Sequence, residues 1–167
     1  MSDRLTPRPV LLEGENVEIG QIGVAVGGGA LKTLVGSCVG LVLHSQSLRA
    51  AALAHVMLPA SNGHGTPPGK YADTAVPEAV RLLCKAAGEP SLACTAKLVG
   101  GAAMFAFHSG IPIGEQNVAA LERILADFGI PITGRACGGG HGRRLAVDVV
   151  SGLVTIQTAG HGTEYLK

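Results

Sequence analysis

Between Val17 and Leu58 three apolar runs follow one another with only short breaks rich in glycine or serine. Val17 to Val26 alternates imperfectly and reads as a strand. Leu31 to Leu43 is β-rich and is interrupted by Gly36-Ser37-Cys38. Ala50 to Leu58 reads as a third, largely buried strand. Adjacent strands of this kind suggest hairpins and antiparallel pairing. The same signal returns at the far end, where Ile132–Arg135, Leu145–Val150 and Leu153–Thr158 are predicted strands and Ser151-Gly152 makes a tight turn.

Two helices separate these strand-rich ends. Val76, Val80, Leu83 and Cys84 recur at helical spacing over about Asp73 to Ala87, with Asp73 or Thr74 as cap and Gly88 as terminator. Val118, Leu121, Leu125 and Phe128 form a second stripe over about Glu115 to Phe128, ended by Gly129 and Pro131. Ala93 to Val99 is a strand between them. The order β-β-β-α-β-α-β-β-β predicts an α+β fold with mixed, largely antiparallel sheets and both helices on one sheet face. No repeat or linker divides the chain. Residues 1–14 read as a flexible arm, 15–160 as one domain and 161–167 as a tail.

Composition removes several functions. Of 167 residues, 15% are charged and the net charge is +1 with His neutral. A polyphosphate partner needs a concentrated basic face, and Arg135 with Arg143-Arg144 is a weak one; nucleic acid is not expected. No apolar run approaches the roughly 18 residues that span a bilayer, and the first residues carry no leader-like stretch. Cysteines 38, 84, 94 and 137 include no C-x-x-C pair. The expectation is a soluble cytoplasmic protein with reduced thiols.

Cys38 is the sharpest chemical feature. It follows Gly36-Ser37 at a break inside a β-rich run, where glycine lets backbone approach a substrate and N–H groups can face an oxyanion. A free Cys is ordinarily a small buried hydrophobe; as a nucleophile it needs a base. His55 lies 55 − 38 = 17 residues on. In its apolar run it is ordinarily a satisfied core histidine, yet a strand, a turn at Ser45 to Ser47 and a returning strand would bring it back beside Cys38. Thr33 precedes the break and has a hydroxyl able to orient an imidazole, although threonine is also simply a good strand former.

Other patterns carry less. Gly36-Ser37-Cys38-Val39-Gly40 fits a thiol version of the nucleophile elbow, but a strand follows where that motif needs a helix. Gly27 to Thr33 lacks the glycine that a phosphate loop places before lysine, since Leu31 precedes Lys32. Cys137, His141 and His161 lack paired metal-ligand spacing, so no metal site is expected. His44, His64 and His108 read as surface or loop residues, Cys84 and Cys94 as core.

Several stretches together resemble one family, the CheD chemoreceptor glutamine deamidases. They are Thr33-Leu34-Val35-Gly36-Ser37-Cys38-Val39, Ala54-His55-Val56-Met57-Leu58-Pro59 and Lys70-Tyr71-Ala72-Asp73-Thr74-Ala75. Further along come Lys97-Leu98-Val99-Gly100-Gly101-Ala102-Ala103-Met104-Phe105, Ile113-Gly114-Glu115-Gln116-Asn117 and Gly139-Gly140-His141-Gly142-Arg143-Arg144. The resemblance implies a compact α/β/β sandwich and a Cys–His–Thr triad matching Cys38, His55 and Thr33. Some relatives carry one more residue between Thr and Cys, a spacing that would put Lys32 in the place of Thr33.

It further implies conversion of glutamine side chains to glutamates in methyl-accepting chemotaxis receptors, in some members hydrolysis of receptor glutamate methyl esters, and in some lineages a CheC phosphatase partner. In this reading backbone N–H groups near Ser37 and Cys38 hold the oxyanion, Gly36 and Ser37 are the substrate and oxyanion residues, and no cofactor is required. The 59–70 loop and the Gly100 to Phe105 segment are candidate walls. The rival readings are a non-catalytic adaptor binding receptors or a CheC-type phosphatase, in which Cys38 and His55 are structural, and a cysteine protease.

Overall fold

The structure, a computed structural model, describes residues 14–104 and 110–167. Ten strands and two helices follow in the order β1 (Glu15–Asn16), β2 (Ile22–Val26), β3 (Ala30–Val35), β4 (Val39–Ser45), β5 (Ala50–Val56), α1 (Ala72–Ala87), β6 (Thr95–Gly100), α2 (Ile113–Asp127), β7 (Ile132–Cys137), β8 (Arg143–Asp148), β9 (Val154–Thr158) and β10 (Gly162–Leu166). They make two mixed five-stranded sheets, a central one ordered β2-β5-β4-β6-β7 and an outer one ordered β1-β3-β8-β9-β10. The chain is thus α+β, with both helices packed on the central sheet.

The central sheet is covered on both faces, which is why β4 and β5 read as largely apolar runs and are buried at every position. Alternation still decides which core each residue enters. Leu41, Leu43, Ala52 and Ala54 pack under the helices with Val76, Leu83, Leu121 and Leu125. Val42, Ala51 and Leu53 face the other way and meet Leu31, Val35, Leu145 and Ile156 of the outer sheet.

Several expectations are corrected. Leu31 to Leu43 is not one interrupted strand: β3 belongs to the outer sheet and β4 to the central one, so residues 36–38 cross between layers. Helix α1 starts one residue earlier than Asp73, after Tyr71, with no side-chain cap. Asp73 instead holds Ser61 N at 3.0 Å and Ser61 Oγ at 2.9 Å, and Thr74 donates to Pro68 O. Phe128 caps α2 and is 50% exposed, because the helix has ended before its stripe position comes round. Within the expected tail, 162–166 form the edge strand β10 against β9. Apart from Gly14, the N-terminal arm lies outside the described residues, as do Phe105 and His108.

Candidate active site

The hairpin β4–β5 pairs Val39 with Val56 and Gly40 with His55. His55 therefore lies on the strand beside the one that begins immediately after Cys38. Its side chain enters the space between the sheets, as Leu53 and Ala51 do. Thr33 reaches the same space from the outer sheet, sharing the inward face of β3 with Leu31 and Val35. The two sheets thus contribute one residue each, and the link between them contributes Cys38.

Thr33 Oγ1 lies 2.8 Å from His55 Nδ1 and donates to the Val17 carbonyl at 2.6 Å. A hydroxyl has one proton and a carbonyl can only accept. With that proton on Val17 O, the 2.8 Å contact requires Nδ1 to carry the imidazole hydrogen and donate it to Thr33. Nε2 is then left as a bare acceptor. Lys32, the alternative position for the threonine, faces away from the inter-sheet core on the next step of the strand.

Burial sets the charge state. It lowers the His55 pKa, and the Val17 carbonyl and the Glu18 carboxylate push back only in part. Burial likewise raises the Cys38 thiol. Both shifts favour the uncharged forms, a thiol and a neutral imidazole.

Cys38, His55 and Thr33 line one cleft of about 410 Å³. Gly36 and Ser37 also line it, together with Ile19, Leu34 and Met104. Of the expected walls, Met104 is present and Phe105 is outside the described residues. The 59–70 loop is elsewhere: Pro67, Pro68 and Gly69 border a different cleft with Gly20 and Gln21.

The backbone around Cys38 is tightly held. Gly101 N–H donates to Cys38 O and Ala102 N–H to Gly36 O, each at 2.9 Å. Gly100, at φ +118, is what allows this approach, because a Cβ there would collide with the Cys38 carbonyl. From α2, the buried Asn117 donates through Nδ2 to Ser37 O at 3.1 Å and to Met57 O at 3.0 Å.

A family model described as CheD chemotactic sensory transduction matches residues 57–158. A Methanococcus maripaludis protein named probable chemoreceptor glutamine deamidase CheD is 38% identical over 144 residues, covering 85% of this chain and 93% of that protein. The Thermotoga maritima chemoreceptor glutamine deamidase CheD is 38% identical over 149 residues, covering 89% and 94%. The Bacillus licheniformis protein of that name is 41% identical over 134 residues, covering 77% and 79%.

The chain belongs to the CheD family. The matched region of the family model begins two residues after His55, so it spans neither Cys38 nor His55. The pairwise matches cover far more of the chain.

In this CheD chain the remaining thiols and imidazoles have other surroundings. Cys94 is pushed up to about 11 by burial, with Cys84 adding to the rise. Cys137 is raised by burial and donates to Leu98 O at 3.4 Å. His44 is not a surface residue; it is buried on β4 with Nε2 3.1 Å from Val149 O. His141 and His161 meet edge-on at 4.5 Å, and no group of three or more metal-ligating side chains occurs among the described residues. No helix of the described residues is long and apolar enough to cross a membrane.

Sequence reasoning gave Asn117 no role of its own. A signal was there: Asn117 precedes Leu121 by four and Leu125 by eight, so a polar amide sits on the apolar stripe of α2. The contribution of the Val17 carbonyl had no signal, because main-chain groups are the same at every position.

Proposed function

We propose that this CheD protein hydrolyses glutamine side-chain amides to glutamates in methyl-accepting chemotaxis receptors, with Cys38 as nucleophile, His55 as base and Thr33 as the residue that orients it. The observation that carries the reading is the hydrogen-bond order Val17 O, Thr33 Oγ1, His55 Nδ1, which leaves Nε2 unprotonated in the cleft of Cys38.

In the first half-reaction Nε2 takes the Cys38 proton as sulfur attacks the glutamine δ-carbonyl. Ser37 and Cys38 N–H groups, beside Gly36, receive the oxyanion, each donor being worth roughly 3 kcal/mol. The imidazolium returns its proton to nitrogen, ammonia departs and a thioester remains. In the second half-reaction Nε2 deprotonates water, hydroxide adds to the thioester, and the sulfur leaves and is reprotonated. The sum is amide plus water giving acid plus ammonia. A receptor glutamate methyl ester enters the same sequence with methanol as leaving group. The chemistry draws on protein groups alone.

The names of the relatives support a chemoreceptor substrate, and the protein is assigned to the cytoplasm, where receptor signalling domains lie. A CheC-type phosphatase is the second proposed partner, resting on family resemblance. Mass spectrometry of a receptor signalling fragment after incubation with wild type and Cys38→Ala tests the proposal. Amide-to-acid conversion in intact chains by wild type alone is expected. Equal conversion by a folded Cys38→Ala variant overturns Cys38 as the nucleophile, no conversion by either protein leaves an adaptor role, and cleaved chains would indicate a protease.

A further inference from the structure

Residues 36–38 belong to no strand, yet each of their three carbonyls is tied down. Gly36 O accepts from Ala102 N–H and Cys38 O from Gly101 N–H, both at 2.9 Å. Ser37 O accepts from Asn117 Nδ2 at 3.1 Å, and the second proton of that amide goes to Met57 O at 3.0 Å, two residues beyond His55. A trans peptide unit points its C=O and N–H in opposite directions. Holding the Gly36 carbonyl therefore aims the Ser37 N–H, and holding the Ser37 carbonyl aims the Cys38 N–H. Asn117 is wholly buried, so it draws Ser37 O inward and turns the Cys38 N–H outward, on the side of the cleft that Ser37 and Cys38 line. Among the described residues neither N–H has an acceptor.

Asn117 is an expensive choice for a helix core. Its Oδ1 is buried without a partner, a penalty that an apolar residue on the α2 stripe would not carry. Its two donors account for its presence: they join the segment bearing Cys38 to the segment bearing His55.

We propose that Asn117 is a positioning residue that builds the oxyanion hole, fixing the Ser37–Cys38 peptide so that the Cys38 N–H faces the δ-carbonyl oxygen of the substrate glutamine. The assignment rests on the reading of Cys38 as nucleophile. Addition to a carbonyl needs that N–H, whereas alkylation of the thiol develops no oxyanion and does not. The two reactions of one sulfur therefore separate a positioning role from a structural one.

The test uses the full chain as wild type, Asn117→Ala, Asn117→Ser and Cys38→Ala, with a glutamine-bearing receptor fragment as substrate and iodoacetamide as thiol probe. Asn117→Ala is expected to lose about 10- to 100-fold in kcat, with KM within about threefold and Cys38 alkylation within about twofold of wild type. Should the alanine variant not fold, Asn117→Ser, which keeps one donor, is expected to show a smaller loss of kcat with the same unchanged alkylation. Wild-type kcat in a folded Asn117 variant overturns the assignment. So does a loss of kcat matched by an equal loss of alkylation and a fall in Tm, which would make Asn117 merely structural. If Cys38→Ala itself still deamidates, the nucleophile reading fails first; if it is inactive and Asn117 variants are not impaired, the Asn117 assignment alone falls.

Discussion

Thr33 Oγ1 and His55 Nδ1 lie 2.8 Å apart across the boundary between the two sheets. One strand of each sheet is thereby joined at the cleft through a buried polar contact, with Val17 O taking the threonine proton. The contact fixes the imidazole tautomer, and the tautomer decides whether a base faces the cleft.

Removing that contact is expected to reduce catalysis more than folding. Thr33→Val keeps the shape and the strand propensity but removes the hydroxyl, so Nδ1 loses its acceptor and the ring can take the other tautomer. A fall in kcat of about 10- to 100-fold is expected, with stability lowered by about 1–2 kcal/mol for the lost buried hydrogen bonds. Thr33→Ser keeps the hydroxyl and is expected to keep activity within about threefold. Steady-state ammonia release on a glutamine-bearing receptor fragment and denaturant unfolding read the two quantities. Equal activities in the valine and serine variants would exclude the orienting role.

The pH profile follows from the neutral resting pair. In the proposed mechanism the active form needs an unprotonated His55, whose pKa lies below the ordinary imidazole value because of burial. As pH falls, protonation of Nε2 removes the base, so the acid limb of kcat/KM should have its midpoint below about 6.5. Cys38 is raised by burial, which places its own ionisation above the ordinary thiol range and leaves a broad plateau through neutral pH. An acid limb above neutrality, or a bell centred near pH 5 from an ion pair, would contradict this electrostatic picture.

Much of the fold was legible because the burial pattern is simple. Leu41, Val42, Leu43 and Ala50 to Val56 lie in strands buried on both faces, and such strands advertise themselves as apolar runs. The α1 stripe and its Gly88 terminator were equally plain, and the β4–β5 hairpin that places His55 opposite Gly40 followed from turn residues. The sheet to which each strand belongs was not legible: periodicity reports which face of a strand is apolar but not its neighbours. Hence Leu31 to Leu43 read as one run although it changes layer at Cys38. Strand β10 was missed because an exposed edge on the solvated outer sheet carries almost no apolar pattern. His44 misled for the opposite reason, a polar side chain buried against the Val149 carbonyl at 3.1 Å.

Thiol chemistry offers a second check on the base. At neutral pH Cys38 should react with iodoacetamide through assistance from Nε2, since its own ionisation is disfavoured by burial. His55→Ala is expected to slow that labelling about tenfold or more while leaving the other thiols unaffected. Cys94 is the internal reference: pushed up to about 11, it should be labelled far more slowly than Cys38 in the folded protein. Peptide mapping of a labelling time course measures both rates, and an unchanged Cys38 rate in a folded His55→Ala variant would remove the imidazole from the chemistry.

The rim of the cleft should govern affinity rather than turnover. Leu34 is 59% exposed, Ile19 57% and Met104 42%, and all three line the cleft that Cys38 lines. In the proposed reaction a glutamine side chain is short, so its carrier backbone has to lie across this rim for the δ-carbonyl to reach the sulfur. Covering roughly half of one such apolar side chain is worth about 1 kcal/mol, or about fivefold in an equilibrium constant. Leu34→Ser should therefore raise KM about fivefold on a receptor fragment with kcat nearly unchanged, because the contact is made equally before and during the reaction. Since Leu34 points to solvent, Tm should move little. A free amide substrate too small to reach the rim should show no difference between the two proteins. If Leu34→Ser instead left KM unchanged, the substrate would have to approach from the Met104 side alone, and a fall in kcat at constant KM would make Leu34 a contact of the transition state rather than of binding.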